Sequence, residues 1–294
     1  MSENTYKKRF GDRKDGRRIR SLAPISMLIP YIMVKRNDAS NQFAGSIEVT
    51  ETDRWLRQKR AEGYKGLGML HLFIAAYIRV ISQLPGLNRF LSGQRAYARY
   101  DIVINMMVKR GYSTDANETC AKVSFEPTDT IYDVYRKMNA AVDKIRAEAD
   151  NSGTESAASA FTKIPGLFLK FAIWLLNFID YFGWLPRSIL KVSPFHGSMF
   201  VTDLGSLGIP PIYHHLYNFG NLPVFLAFGA KRHVVELDRH GAPVERKYVD
   251  YKITCDERTV DGYYYASAFK FLKYYMKNPH ELEQPPEKVV EDVF

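Results

Sequence analysis

Two cysteines in 294 residues, Cys120 and Cys255, are too few for a disulfide framework, and they fit a reducing, cytoplasmic setting. No zinc-finger spacing and no RNA-binding aromatic motif occurs, so nucleic acid is not an expected partner. The basic, polar N-terminus has no apolar core behind it, which argues against a secretory signal. No internal repeat is visible. What is present is ordinary globular material: 46 % hydrophobic and 25 % charged residues, enough for a sizeable core. Aromatic residues reach 14 %, which favours well-filled sheet faces or interfaces over a disordered chain.

The formal net charge of +9 is concentrated at the start, in Lys7, Lys8, Arg9, Arg13, Lys14, Arg17, Arg18 and Arg20. Residues 1–20 therefore read as a basic N-terminal arm, and 21–294 as a single domain. A solvated tail is favoured over an arm that touches nucleic acid or anionic lipid.

Ile29 to Lys35 reads as a strand, with Phe43 to Val49 its partner across a polar Asn37–Asn41 turn. Thr52 is placed to cap a short helix carrying Trp55 and Leu56. Helical spacing runs from Met69 to Gln83, stopping before Pro85. Strand alternation follows in Ile102, Ile104, Met106 and Val108, and again in Ala121, Val123 and Phe125. A long amphipathic helix carries Ile131, Val134, Met138, Val142 and Ile145 on one side, and 151–160 reads as a loop. Ser198–Leu204 and Pro223–Phe228 are expected strands, with a hairpin around Arg239–Pro243 and a final helix bearing Phe269 and Leu272. The mixture predicts one α+β domain with a large mixed sheet flanked by helices.

Pro165 to Pro186 is the most apolar stretch. Lys170, Asn177 and Asp180 interrupt it on one narrow side of a helix, and intramembrane charges are costly, so spanning is disfavoured. Contact of 165–186 with a membrane surface is weighed and not favoured. The preferred expectation is a helix buried in the core, at an oligomer contact, or beside an acyl pocket.

The segment Thr254-Cys255-Asp256-Glu257-Arg258-Thr259-Val260-Asp261-Gly262 is a strand end running into a helix. It resembles the D-H-R-x-V-D-G signature of dihydrolipoyl acyltransferase catalytic domains and, less closely, the H-H-A-V-x-D-G of chloramphenicol acetyltransferase. Asp256, Arg258, Val260, Asp261 and Gly262 match the first pattern in register. Supporting stretches follow in the family's order. Ile29-Pro30-Tyr31 resembles the Pro-His before its first strand, Leu84 to Arg89 its P-x-x-N, and Ile102 to Val108 its following apolar strand. Phe200-Val201-Thr202-Asp203-Leu204-Gly205 resembles F-T-I-S-N-L-G, and Asn221-Leu222-Pro223 resembles N-x-P. The resemblance covers about residues 20 to 280. It implies the chloramphenicol acetyltransferase-like fold, a homotrimer with its active site between subunits, and coenzyme A as acyl-CoA co-substrate. It also implies a small-molecule or carrier-borne acyl acceptor. Carried over by position, Thr202 takes the oxyanion hydroxyl role and Asp261 the loop-holding role, usually a salt bridge in the family. Glu257 stands in the histidine position. No lipoyl attachment site, swinging linker or metal-ligand spacing is seen, so no metal is expected and the core of an ordinary 2-oxoacid dehydrogenase complex is not.

A glutamate changes the chemistry. Histidine suits thiol deprotonation because its pKa of about 6.5 lies near working pH, whereas an exposed glutamate near 4.3 is about two units weaker as a base. In the limit of full proton transfer the deficit is about 2.7 kcal/mol, and burial in an apolar pocket offsets it by raising the carboxyl pKa. Two readings stay open: Glu257 is the general base of an acyltransferase, or the fold persists as an inactive trimeric scaffold or CoA-binding protein. His196, His214 and His215 are weaker candidates for the base.

Overall fold

The computed structural model describes residues 6–109, 118–147 and 165–294. The expected 151–160 loop lies outside these residues. Among the described residues, nine strands form two sheets. The large sheet has the order β2-β9-β8-β7-β5-β6, built from β2 (Ser40–Glu48), β5 (Ile102–Lys109), β6 (Glu118–Phe125), β7 (Met199–Asp203), β8 (Val224–Leu237) and β9 (Pro243–Asp256). Strand β7 runs parallel to both β5 and β8, and the remaining pairs are antiparallel, so the sheet is mixed. A small sheet joins β1 (Gly16–Arg18), β4 (Arg95–Arg99) and β3 (Arg89–Ser92).

One face of the large sheet carries the core. Met199, Val201, Leu226, Phe228, Tyr251 and Ile253 alternate toward it and pack under α3 (Met69–Gln83), α4 (Ile131–Ala147) and α7 (Gly262–Lys277). Helix α3 is apolar nearly all round and lies at the centre, buried from Met69 to Ser82 with only Leu70 partly open. The opposite face has a smaller cluster, Phe200, Phe225, Leu216 and Leu222, under the loop that follows β7. Toward β2 that face is open, with Gln42, Ala44 and Ser46 exposed.

Four expectations are corrected. Residues 29–35 are not a strand: Pro24–Ile32 forms helix α1, whose fixed first turn begins at Pro24, and Pro30 sits within its second turn. A short apolar run has no decisive period, so it fits either element. The partner of β2 is therefore β9, in register from Ser40↔Asp256 to Glu48↔Tyr248, and the match of Pro30 to a pre-strand Pro-His fails. Thr52 is no cap: it lies inside α2 (Thr50–Ala61), and its hydroxyl donates to the Met276 carbonyl at 2.8 Å. The basic arm is not a free tail over its described residues, because β1 pairs with β4 and both Arg13 and Arg17 are buried. Last, α5 (Gly166–Tyr181), followed by the short α6 (Arg187–Val192), is not buried in the core of the chain; of its residues only Asp180 is buried.

Candidate active site

Strand β9 ends where β2 begins, and this junction fixes the loop. Glu257 N–H extends the ladder by one bond to the Ala39 carbonyl, at 3.0 Å. The chain then turns: Thr259 N–H and its hydroxyl both donate to the Asp256 carbonyl, which also accepts from the Tyr265 hydroxyl at 2.9 Å. Asp261 follows as the N-cap of α7, its carboxylate accepting from Tyr264 N–H at 2.8 Å. Asp261 is exposed and holds the loop by capping; the salt bridge usual in the family is absent among the described residues.

The three residues 256–258 have unlike surroundings. The Asp256 carboxylate is buried and accepts two bonds of 2.8 Å from the Arg258 guanidinium and one of 3.3 Å from Arg36 Nε. Arg258 also donates to the Met33 and Val34 carbonyls, and Arg36 to those of Tyr217 and Gly220. One carboxylate thus ties the end of α1 and the 217–220 loop to the end of β9. Burial lowers the pKa of Arg36, opposed by the Asp256 charge and reinforced by Arg258. Glu257, between these locked neighbours, is only half-buried. Among the described residues no side chain bonds its carboxylate.

Thr202 lies on β7, half-buried, on the face away from the helices. Its row across the sheet runs through Ala227 on β8 to Lys252 on β9. Glu257 follows Lys252 by five residues, so the two candidates stand roughly 16 Å apart along the strands, and two strands apart across them. One chain does not bring them together. Its hydroxyl, too, has no partner among the described residues.

The histidines divide. His196 is buried and precedes β7, which starts at Met199, so it does not share a strand face with Thr202. Its Nδ1 lies 2.8 Å from the Ser193 hydroxyl oxygen while Nε2 faces Asp180 at 3.4 Å, and burial lowers its pKa despite that carboxylate. Ser193, His196 and Asp180 are all buried and anchor structure. His214, in contrast, stacks on Phe225, with ring centroids 3.8 Å apart, on the same sheet face as Thr202. Lys252 lies there too, with its ammonium over the Tyr213 ring. Sequence reasoning passed over this proximity because it depends on how the 204–223 loop folds back.

A cavity of about 240 Å³ adjoins the loop, walled by Lys35, Arg36, Asn177, Asp180, Asn218 and Arg258 among others. Three of its walls are basic, and the chain neighbour of Glu257 is one of them. Among the described residues no three histidine, cysteine or acidic side chains are placed to hold a metal.

No protein-family model matches the chain, and no curated protein matches it in sequence. Solved structures do resemble it. A probable dihydrolipoamide acetyltransferase from Listeria monocytogenes is 13 % identical with a TM-score of 0.57, over 85 % of this chain and 92 % of that one. The cubic core of the pyruvate dehydrogenase multienzyme complex is 14 % identical with a TM-score of 0.58, over 90 % and 93 %. Chloramphenicol acetyltransferase is 12 % identical with a TM-score of 0.51, over 86 % and 94 %. At such identities the likeness concerns architecture. The chain has the α+β fold of these acetyltransferase cores.

Proposed function

We propose that the protein moves an acyl group from a coenzyme A thioester to a small-molecule or carrier-borne acceptor, at a site completed between subunits of a homotrimer. The observation that carries this reading is the contrast within 256–258. Asp256 and Arg258 are spent on a buried ion-pair network, while the intervening Glu257 is held on a fixed backbone with its carboxylate unbonded by any described residue. A residue kept rigid at the backbone and unpaired at its tip suits a reacting group.

In this mechanism the acceptor X–H attacks the thioester carbonyl carbon as Glu257 takes its proton. The hydroxyl of Thr202, contributed by a neighbouring subunit, donates to the tetrahedral oxyanion. Collapse breaks the C–S bond, and the CoA thiolate recovers the proton from Glu257. The exposed Lys35 in the cavity wall suits a donor that carries phosphates. Asp261 keeps the loop and α7 in place.

The test is release of free CoA from a panel of acyl-CoAs with dihydrolipoamide, amines and hydroxylated acceptors, alongside the effect of CoA on melting temperature. Turnover in the wild type should fall roughly 10²- to 10⁴-fold in Glu257→Gln, the usual weight of a general base. CoA should raise the melting temperature of both proteins. Stabilisation by CoA without turnover would leave a CoA-binding scaffold; neither effect would leave a scaffold alone.

A further inference from the structure

Helix α5 presents an unusual surface. Leu167, Phe168, Phe171, Trp174, Phe178 and Tyr181 are all exposed, Leu167 at 83 % and Phe168 at 68 %. At about 100° per residue these six fall within about 140° of arc, with Lys170 and Asn177 along one edge. The rings continue one another. Phe171 stacks on Trp174 and Trp174 on Phe178, Phe178 meets Phe182 edge-on, and Phe182 stacks on Trp184, at centroid distances of 4.9–5.7 Å. Helix α1 adds exposed Ile25, Leu28, Tyr31 and Ile32, and the ends of the two helices meet at the cavity lined by Val34, Lys35, Asn177 and Tyr181.

Within the two segments that form this patch the exposed charges have one sign. Segments 21–36 and 165–192 contain a single acidic residue, Asp180, which is buried against Arg13. Their exposed charges are Lys35, Lys170, Arg187 and Lys191. The patch is also fixed in place. Arg13 donates to the carboxylate and carbonyl of Asp180, Ser92 to that carbonyl, and Lys14 to the Leu185 carbonyl. Helix α5 has 16 residues, about 24 Å, short of the roughly 30 Å needed to cross a bilayer, and no helix of the described residues is long and apolar enough to do so.

We propose that α5, with Trp184 and the adjoining face of α1, docks the protein on an anionic phospholipid surface. An outward apolar arc, aromatic rings that include two tryptophans, and flanking cations without exposed acids fit the boundary between acyl chains and headgroups. A second copy of the chain is the competing occupant. In a two-fold contact an acid-free face offers the cations of the same face on that copy no opposite charge, so charge complementarity favours lipid.

The experiment is cosedimentation of the full chain with large unilamellar vesicles of phosphatidylcholine alone and with one quarter phosphatidylglycerol, with light scattering in parallel. The wild type should bind the phosphatidylglycerol vesicles, with a blue shift of tryptophan emission, and bind pure phosphatidylcholine far less. Lys170→Gln/Arg187→Gln/Lys191→Gln should weaken that binding roughly a hundredfold. Phe171→Ser/Trp174→Ser should abolish it, with far-UV circular dichroism unchanged because both side chains are exposed. Absence of vesicle binding by the wild type overturns the proposal. So does binding that neither variant alters. An assembly that binds no vesicles and dissociates in Phe171→Ser/Trp174→Ser gives the face to a second copy instead.

Discussion

At the scale of single residues, the 256–261 loop separates side chains that hold structure from one that does not. Removing the Asp256 charge leaves Arg36 and Arg258 buried and facing each other without a counter-ion, and breaking one partner out of such a network typically destabilises by about 3–5 kcal/mol. Losing the Asp261 cap should reduce stability by only about 1 kcal/mol. Glu257→Gln removes no interaction with a described residue and should leave stability unchanged within about 0.5 kcal/mol. Urea denaturation of Asp256→Asn, Asp261→Ala and Glu257→Gln is expected to give that order. A large loss in Glu257→Gln would make it a structural residue and remove the proposed base. The sequence shows Asp256 and Arg258 as motif positions, but Arg36 lies 220 residues from Asp256, and no local pattern joins them.

At the scale of elements, α5 hangs on its last turn. Burial alone would push the Asp180 carboxyl up, but the hydrogen bond from His196 and the Arg13 charge outweigh it and bring the pKa down to about 2. The unfolded chain, titrating at the ordinary 3.8, then binds more protons between pH 4 and pH 2. The contribution of about 2 kcal/mol is therefore complete above about pH 4 and lost as pH falls through 2. Asp180→Asn should thus be about 2 kcal/mol less stable at pH 7, with the gap to the wild type closing toward pH 2, measured by urea midpoints across that range. A gap independent of pH would mean that packing, not charge, holds the turn. Elements whose period is long and clean were legible beforehand, namely α3 from Met69 to Gln83, α4 and the alternation of β5 and β6, and the β8–β9 hairpin was legible from its turn residues around Arg239–Pro243. Helix α1 was not, because an apolar run of nine residues fits either period. The apolar face of α5 was legible, but amphipathicity reports only that a face exists. Whether core, lipid or another chain covers it depends on where the Arg13–Asp180–His196 anchor sets the helix.

At the scale of the whole molecule, the sheet decides what one chain can do by itself. Thr202 on β7 and Glu257, one residue past the end of β9, are held by one rigid sheet, roughly 16 Å apart along it, so no side-chain rotation brings them to one substrate atom. For the proposed transfer, closure has to come from outside the chain, and the open sheet face beside Gln42, Ala44 and Ser46 leaves room for a neighbour. A heterologous ring of three satisfies this, each interface pairing Glu257 of one subunit with Thr202 of the next. The arrangement predicts complementation. Glu257→Gln and Thr202→Val should each be nearly inactive alone, yet differently tagged copies coexpressed and purified through both tags should recover activity. Every trimer that carries both tags has one interface in three with both residues intact, so about a third of wild-type turnover should return. Light scattering of the same sample must show a trimer. Activity that fails to return in mixed trimers would place both residues in separate roles, and a monomer retaining full turnover would remove Thr202 from the reaction, since no neighbour would be present to supply it.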